Sequence, residues 1–317
     1  MQPLDYRLVA SILVAVMLSA CGGIGTQPAT ALPPALAPAA ARNAPAGGGL
    51  SPLIYVSDVA ANTLTFYAYS NGKQRGSISS GLSGPQGVCS DASGNVFVAN
   101  TNDSNVIEYA HGAKTSSQTL QLTGELPAAC ATSATGILAV ANICSSPSCD
   151  AGNVAFFAGE SGSPTSVTCP NLFRYYFLGY DKKGDLFVDG QNPSGQFSLC
   201  EIAKGSSKGK AIRLDKAPAF PGGVQWDGTD LAVQDQGAAV IDRYKIHGTS
   251  GKLEGTVTLS GTTSGAFYLT SKKQVLAFVG AELGFFHYPE GGNPTKKLAL
   301  KGLVDPLGFT ISPSKTL

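Results

Sequence analysis

A five-residue strand motif that returns at a nearly fixed spacing constrains this chain more than any other feature. Each copy is rich in apolar residues, and four of the six copies end in Asp or Asn. The copies occupy residues 54–58, 96–100, 138–142, 186–190, 231–235 and 275–279. Their final residues are 42, 42, 48, 45 and 44 positions apart. Such a period indicates supersecondary units that stack on their neighbours.

The repeat spanning residues 84–122 shows what one unit contains. It has four short runs rich in β-branched and aromatic residues, each closed by Gly, Asn or Asp, which is typical of a four-stranded antiparallel meander. Residues 51–317 number 267, so six units would have about 44 residues each and seven about 38, which is below every observed spacing. We therefore predict an all-β fold, a six-bladed β-propeller of four-stranded antiparallel blades. Two packed sheets are the alternative, but they leave the period unexplained.

The two ends of the repeat region predict how the ring closes. The first strand, near residues 53–57, reads like the second strand of a blade, with no first strand before it. Residues 306–312 read like the missing first strand. We expect this C-terminal strand to join the N-terminal blade, because closure removes edges that would otherwise pair with other chains.

One repeat also carries a family resemblance. Residues 94–100 (GNVFVAN) and 105–109 (NVIEY) resemble the NHL repeat, and residues 51–317 are similar to six-bladed NHL-type propellers. The resemblance implies the fold but no activity, because such propellers include lyases, lactonases, nucleic-acid binders, extracellular sensors and scaffolds.

The N-terminus predicts the compartment. Arg7 precedes an apolar run at residues 8–17, which is too short to span a bilayer of ~30 Å and is followed by Leu-Ser-Ala-Cys ending at Cys21. This segment resembles a bacterial lipoprotein signal peptide. The resemblance implies cleavage after Ala20, acylation of Cys21 with palmitate-type chains and, since Gly22 is not aspartate, sorting to the outer membrane where the cell has one. An ordinary signal peptide with a chance cysteine is the alternative.

The segment after Cys21 cannot build a core. Residues 22–50 contain nine Ala, six Gly and five Pro among 29, with Arg42 as the single charge. This composition predicts a spacer that is partly extended and partly flexible. The predicted organisation is a signal peptide at 1–20, a lipidated tether at 21–50 and the propeller at 51–317. The protein is thus expected to be exported and lipid-anchored to the cell envelope.

Four polar residues share one position in the repeat. They are Asp58, Asn100, Asn142 and Asp235, at the end of the second strand of their blades. We call the face where second strands end the top, and the face of the 1–2 and 3–4 turns the bottom. Four oxygen-bearing side chains around a ring predict cation or ligand contacts, with calcium as the one cofactor considered. The alternative is that each side chain caps the turn that follows it.

Histidine placement argues against imidazole chemistry, and no catalytic residue is assigned. His111 and His247 fall in bottom turns, and His287 falls on an outward part of a third strand. A lyase or metallohydrolase would need imidazole at the channel mouth. Arg174 and Trp226 are single residues without evident partners, for which we expect structural roles.

Six cysteines besides Cys21 predict disulfides in an exported domain. Cys144 and Cys149 are the closest pair in sequence. Cys89 and Cys130 occupy similar places on adjacent inner strands, and Cys169 with Cys200 would join two blades. Six cysteines permit 15 pairings, and zinc binding is the alternative, although no CxxC pair is present.

Charge limits the classes of partner. Lys+Arg 22 against Asp+Glu 21 argues against a nucleic-acid binder. Lysines concentrate in the bottom turns and acidic residues in the top loops, so the bottom is predicted to face an anionic membrane. Ordinary solubilising lysines are the alternative.

These features together predict a monomeric, membrane-anchored scaffold for a protein, peptide or small-molecule ligand. A calcium-dependent hydrolase or lyase at the top of the channel is the alternative.

Overall fold

The computed structural model describes residues 50–262 and 265–313, and the predicted signal peptide and nearly all of the tether lie outside them. This part of the chain forms 24 strands and one 3-10 helix at Thr101–Asp103. None of its helices is long and apolar enough to cross a bilayer. The first twelve strands are β1 (Leu53–Asp58), β2 (Thr63–Ala68), β3 (Gln74–Ile78), β4 (Pro85–Ser90), β5 (Val96–Asn100), β6 (Asn105–Tyr109), β7 (Ser116–Gln121), β8 (Glu125–Thr132), β9 (Ile137–Ser145), β10 (Asp150–Ala158), β11 (Thr165–Val167) and β12 (Arg174–Tyr180). The other twelve are β13 (Leu186–Gln191), β14 (Phe197–Ile202), β15 (Lys210–Leu214), β16 (Val224–Trp226), β17 (Leu231–Asp235), β18 (Val240–His247), β19 (Ser250–Thr258), β20 (Phe267–Thr270), β21 (Gln274–Val279), β22 (Glu282–His287), β23 (Gly291–Ala299) and β24 (Pro306–Ser312).

Hydrogen-bond ladders group these strands into four-stranded antiparallel meanders, which we call blades. Blade 1 has the order β24-β1-β2-β3, and blades 2 to 6 each take the next four strands in chain order. The predicted fold class, an all-β propeller, is confirmed. The six copies of the sequence motif form β1, β5, β9, β13, β17 and β21, which are the second strands of their blades.

The C-terminal strand joins the N-terminal blade, as the sequence predicts. β24 pairs antiparallel with β1, with Tyr55 opposite Thr310 and Val56 opposite Phe309. The Phe309 ring also meets Phe278 of blade 6 edge to face, with ring centroids 5.3 Å apart. β24 therefore completes the sheet of blade 1 and also packs against blade 6. Contacts with both blades stabilise the closed ring.

The second strands are buried along nearly their whole length because each blade lies between two others. In β5, Val96 and Val98 pack into the core between blades 1 and 2, whereas Phe97 packs into the core between blades 2 and 3. Successive side chains of a strand point to opposite faces, so burial of both faces requires an unbroken apolar run. This explains why the motif reads as continuous rather than alternating.

The outer strands have an arrangement that the sequence did not predict. The 3–4 hairpin of a blade lies against the outermost strand of the preceding blade: Leu214 of β15 pairs in parallel with Gly251 of β19, and Leu259 bridges to Gly292. The first of these contacts merges blades 4 and 5 into one eight-stranded sheet. The hairpins therefore cover edges that would otherwise expose unpaired backbone groups.

The inner strands approach one another closely around the channel. A methyl group on Gly87 would overlap the backbone of Ala129, and one on Gly308 would overlap the backbone of Gln86. Only glycine tolerates such an approach of two backbones. Large side chains at the top of the inner strands are therefore exceptions that need an explanation.

Candidate functional site

Three of the four predicted top-face residues form hydrogen bonds within their own blades. Asp58, Asn100 and Asp235 end β1, β5 and β17, and all three are buried. Each side chain reaches the segment that leads into the inner strand of the same blade. Their common role follows from the meander, which brings the end of the second strand beside the start of the first.

Asp58 and Asp235 accept several backbone N–H groups each. The Asp58 carboxylate accepts from Ala61 at 3.0 Å, from Asp305 at 3.2 Å and from Val304. The Asp235 carboxylate accepts from Ala219 at 2.8 Å and Gly237 at 2.9 Å. Carboxylate oxygens engaged in this way satisfy buried amides that would otherwise lack partners.

Asn100 does the same with both ends of its amide. Its Oδ1 accepts from the Ser83 N–H at 2.6 Å, and its Nδ2 donates to the Gly81 carbonyl at 3.0 Å. The described residues contain no group of three or more His, Cys, Asp or Glu side chains that could hold a metal ion. Turn capping therefore accounts for these three positions, and the calcium contact at them stays a prediction.

Asn142 differs because β9 continues three residues beyond it. Its Nδ2 donates to Asn153 Oδ1 at 2.8 Å, and Asn153 Nδ2 donates to Glu125 Oε1 at 2.7 Å. Asn142 Oδ1 and Glu125 Oε2 are buried without a hydrogen-bond partner among the described residues. Burial raises the pKa of the Glu125 carboxyl, and the hydrogen bond from Asn153 partly offsets this.

Blade 4 has a buried carboxyl group one position earlier in the motif. Asp189 accepts from the Phe177 N–H at 3.0 Å and from the Gly222 N–H at 3.1 Å. Burial raises the pKa of Asp189 well above its ordinary value, although both hydrogen bonds lower it. The Phe177 amide is free to bond this side chain because β12 bulges against β13 between Tyr175 and Leu178. The sequence pattern suggests no more for Asp189 than one of the acidic residues near the top face.

All three predicted disulfides are present. Cys89–Cys130 joins the inner strands of blades 2 and 3, and Cys169–Cys200 joins the end of blade 3 to blade 4. Cys144–Cys149 closes the tip of the β9–β10 hairpin, whose two strands have nine residues each. This hairpin rises above the top of blade 3 and leans towards blade 4, where Gly152 donates its N–H to the Phe173 carbonyl at 2.9 Å.

The disulfide tip and blade 4 together frame a cluster of aromatic side chains around one arginine. We call it the Arg174 cluster, and its members are Phe173, Arg174, Tyr176, Gln191 and Phe220. Tyr176 packs against the apolar residues at the base of the tip, and its ring lies 6.3 Å from that of Phe220. The Tyr176 hydroxyl donates to Gln191 Oε1 at 3.1 Å. All five side chains are partly exposed at the top face.

Within the described part of the chain, Arg174 is held in place without an ion pair. Its guanidinium carbon lies 4.2 Å from the centre of the Phe173 ring, and its Nη1 donates to the Asp150 carbonyl at 3.1 Å. Burial lowers the pKa of the guanidinium, while Tyr176 and Asp150 raise it. The sequence predicts a structural role for Arg174. The run of aromatic residues at 173–177, FRYYF, is the sequence signal that points to the cluster around it.

The histidines lie at the bottom, away from the channel mouth. His111 Nδ1 is 2.9 Å from Ser312 Oγ and its Nε2 is 3.1 Å from the Ser51 carbonyl. His247 and His287 are exposed at the ends of β18 and β22. Trp226, at the end of β16, packs against the core between blades 4 and 5. The contact between His111 and Ser51 also shows that the chain enters the propeller at its bottom face.

The charge distribution follows the prediction only in part. The sheet order places Lys182 and Lys183 in a bottom turn, as expected. Not every lysine lies in a bottom turn, however, since Lys297 is on β23 and pairs with Glu282 at 3.4 Å. Asp58 and Asp189 lie in β1 and β13 and are fully buried. The exposed top is therefore less acidic than the sequence indicated.

No protein-family model matches the chain, and no curated protein matches it in sequence. Several solved structures are similar in fold. A streptogramin B lyase structure has a TM-score of 0.51 at 13% identity, covering 67% of this chain and 70% of the other. A nidogen/laminin complex has a TM-score of 0.55 at 14% identity, with 65% and 75% covered.

A protein of unknown function from Bacteroides caccae has a TM-score of 0.63 at 11% identity. The similarity covers 83% of this chain and 100% of that one. At such identities these likenesses bear on the fold alone. They support a β-propeller, while the resemblance to NHL repeats stays a prediction.

Proposed function

We propose that this chain is a lipid-anchored β-propeller of the cell envelope that binds a partner with its top face. Acylation of Cys21 would attach it to the membrane, and the tether at residues 21–50 would hold the propeller away from the lipid. The partner is a protein, a peptide or a small molecule. Three disulfides support export, because such bonds persist in oxidising compartments.

One observation carries the binding role. Among the described residues, the 2–3 hairpin of blade 3 has the longest strands of its kind, and it is closed by its own disulfide beside the Arg174 cluster. The long hairpin with its disulfide and the partly exposed aromatic residues of the Arg174 cluster therefore lie in one sector of the top face. Loops fixed on a rigid scaffold are where binding residues concentrate.

The position of the tether supports an orientation with the bottom towards the membrane. Ser51 lies at the bottom beside His111, so the predicted tether leads away from that face. Lysines in the bottom turns, such as Lys182 and Lys183, suit an anionic lipid surface. The top face would then point away from the membrane and be open to a partner.

The experiment follows the full chain in bacterial cells, with a photo-cross-linking amino acid either at Ser148 in the disulfide tip or at Lys204 on the bottom. We expect the wild type in the membrane fraction, Cys21→Ala in the soluble exported fraction, and a defined cross-linked product from the top position only. Equal membrane retention of Cys21→Ala would contradict the anchor. The same products from both positions, or none from the top, would contradict top-face binding.

A calcium-dependent hydrolase or lyase with its site at the top of the channel is the second candidate. It is favoured by the two buried oxygens without partners, on Asn142 and Glu125. Buried carboxylate and amide oxygens are ligands that calcium accepts. Calcium should then raise the melting temperature of the wild type and not of Asn142→Ala; an equal effect on both proteins would remove this candidate.

A further inference from the structure

We propose that the Arg174 cluster binds a carboxylate group attached to an apolar, preferably aromatic, moiety. This inference rests on the proposed binding function and names the chemistry of its ligand. The carboxylate would meet the Arg174 guanidinium, and the apolar moiety would lie against Tyr176 and Phe220. A free organic acid and the C-terminal residue of a peptide share this chemistry.

Arg174 carries a positive charge that no carboxylate among the described residues pairs with. Among residues 50–262 and 265–313, the other partly buried arginine, Arg243, forms ion pairs with Asp227 at 2.8 Å and Asp230 at 2.7 Å. Arg174 is also partly buried, yet it forms no ion pair with a carboxylate in the same part of the chain. A guanidinium has five N–H donors, and one of those of Arg174 is occupied by the Asp150 carbonyl. The remaining donors suit the two oxygens of a carboxylate.

The surroundings of Arg174 hold it ready for a ligand. The Phe173 ring packs against the flat face of the guanidinium and restrains it. Because the N–H donors lie at the edge of the guanidinium plane, this contact leaves them available to a ligand. Gly190 on the paired strand has no side chain, and a methyl group there would overlap the Arg174 carbonyl. The disulfide at Cys144–Cys149 fixes the neighbouring wall. A site built from restrained groups loses little freedom on binding.

The aromatic side chains supply the second part of the ligand's chemistry. Tyr176 and Phe220 are partly exposed although both are large and mainly apolar. They lie on different segments, β12 and the loop before β16, and their rings meet at 6.3 Å with an angle of 37°. At the bulge of β4 in blade 2 the corresponding residues are Gln86 and Gly87. Blade 4 therefore offers apolar contact beside a cation at a position where blade 2 offers none.

The charge next to the site predicts a second effect. Asp150 lies close enough to raise the pKa of Arg174, although it forms no ion pair with it. Its exposed carboxylate would repel an incoming anion. Removal of Arg174 and removal of Asp150 should therefore change affinity in opposite directions, which a purely structural role for either residue would not produce.

The test measures binding of 3-phenylpropanoate and its neutral amide to the purified full chain by isothermal titration calorimetry. A second pair of probes is acetyl-Gly-Gly-Phe with a free carboxylate and the same peptide with a C-terminal amide. We expect at least one acid to bind about tenfold more tightly than its amide, which corresponds to about 1.4 kcal/mol. Arg174→Gln should abolish that difference, and Asp150→Asn should strengthen binding of the acid.

Arg213→Gln is the matched control, because Arg213 is exposed on β15 and its loss changes the net charge equally. Melting temperatures of all variants show whether each protein folds. Preference for the free acid or for the peptide identifies the source of the ligand. The inference is overturned when acid and amide bind equally, when folded Arg174→Gln retains the preference, or when neither acid binds. Top-face cross-links that persist in Arg174→Gln would leave the proposed function standing.

Discussion

At the scale of single residues, the buried acidic and amide side chains at the ends of second strands form hydrogen bonds mainly with backbone groups. Asp58, Asn100 and Asp235 are buried at equivalent positions, and each bonds the segment leading into its own inner strand. The sequence shows the recurrence but not the partners, because both a cation site and a turn cap call for oxygen at this position. Asn142 and Arg174 also lie near the top of their blades, yet each keeps hydrogen-bonding groups without a partner among the described residues. The sequence does not show which polar residues differ in this way, and the structure does.

Asp58→Ala tests the capping role. The substitution removes the buried carboxylate that accepts from the N–H groups of Ala61, Val304 and Asp305. We expect the free energy of unfolding to fall by about 1–3 kcal/mol, since a hydrogen bond to a charged group contributes ~1.5–3 kcal/mol and water can reach these exposed residues. Urea denaturation measures it. Glu290→Ala, at an exposed turn position, is the control, and an equal effect of the two changes would exclude capping.

His111 predicts a dependence of stability on pH. Burial lowers the pKa of its imidazole below 6.5, while the hydrogen bond with the Ser51 carbonyl opposes this. Between the folded-state pKa and about 6.5, the unfolded chain binds more protons than the folded chain, so stability rises with pH in that window.

We expect the melting temperature of the wild type to fall as the pH decreases below about 6.5, and His111→Gln to show a smaller fall. His287→Gln is the control, because His287 is exposed. The same pH profile in all three proteins would show that His111 does not contribute.

At the scale of elements, three kinds of contact join neighbouring blades: close approach of the inner strands, hairpins packed on outer strands, and disulfides. Inner strands approach at glycines, and 3–4 hairpins cover the outer strand of the preceding blade. The strands were predictable because their apolar runs and turn residues are local signals. The hairpin contacts were not predictable, because they join residues 33 to 37 positions apart through backbone groups that carry no residue-specific signal.

The Cys89–Cys130 and Cys144–Cys149 disulfides should differ in how much they add to the free energy of unfolding. Cys89 and Cys130 are 41 residues apart, whereas Cys144 and Cys149 are 5 apart. Loop-closure entropy then gives about 4 kcal/mol for the first bond and about 2 kcal/mol for the second. Double alanine variants, compared by urea denaturation, should follow this order. A larger loss from the Cys144/Cys149 variant would show that its role is not confined to the tip.

At the scale of the whole molecule, stability depends on the ring being closed by β24. Phe309 and Ile311 belong to the apolar core between blades 6 and 1, and the strand they lie on completes the sheet of blade 1. The ring therefore couples the two ends of the repeat region. The termini of a solenoid, by contrast, can fray independently.

Truncation after residue 305 removes β24 and should abolish the single cooperative unfolding transition. It also exposes the edge of β1, so the shortened chain should associate at micromolar concentration. Phe309→Ala, a milder change, should cost about 3–5 kcal/mol. Calorimetry and size-exclusion chromatography measure both effects. Truncation after Pro313 is the control, and wild-type behaviour of the shorter chain would refute closure by β24.

The period, the strand pattern and the strand that closes the ring were predictable because they follow from residue patterns repeated along the chain. The sequence left 15 cysteine pairings open, and the fold selects three of them. The roles of the polar residues likewise depend on tertiary contacts. Tertiary contacts turn three of the four shared top-face side chains towards backbone amides and leave Asn142 with an oxygen that has no partner among the described residues. They also bring Tyr176 against Phe220 and within electrostatic reach of Arg174. The reason is physical: hydrogen-bond partners are set by which blades become neighbours, and residues distant in sequence carry no local signal of that contact.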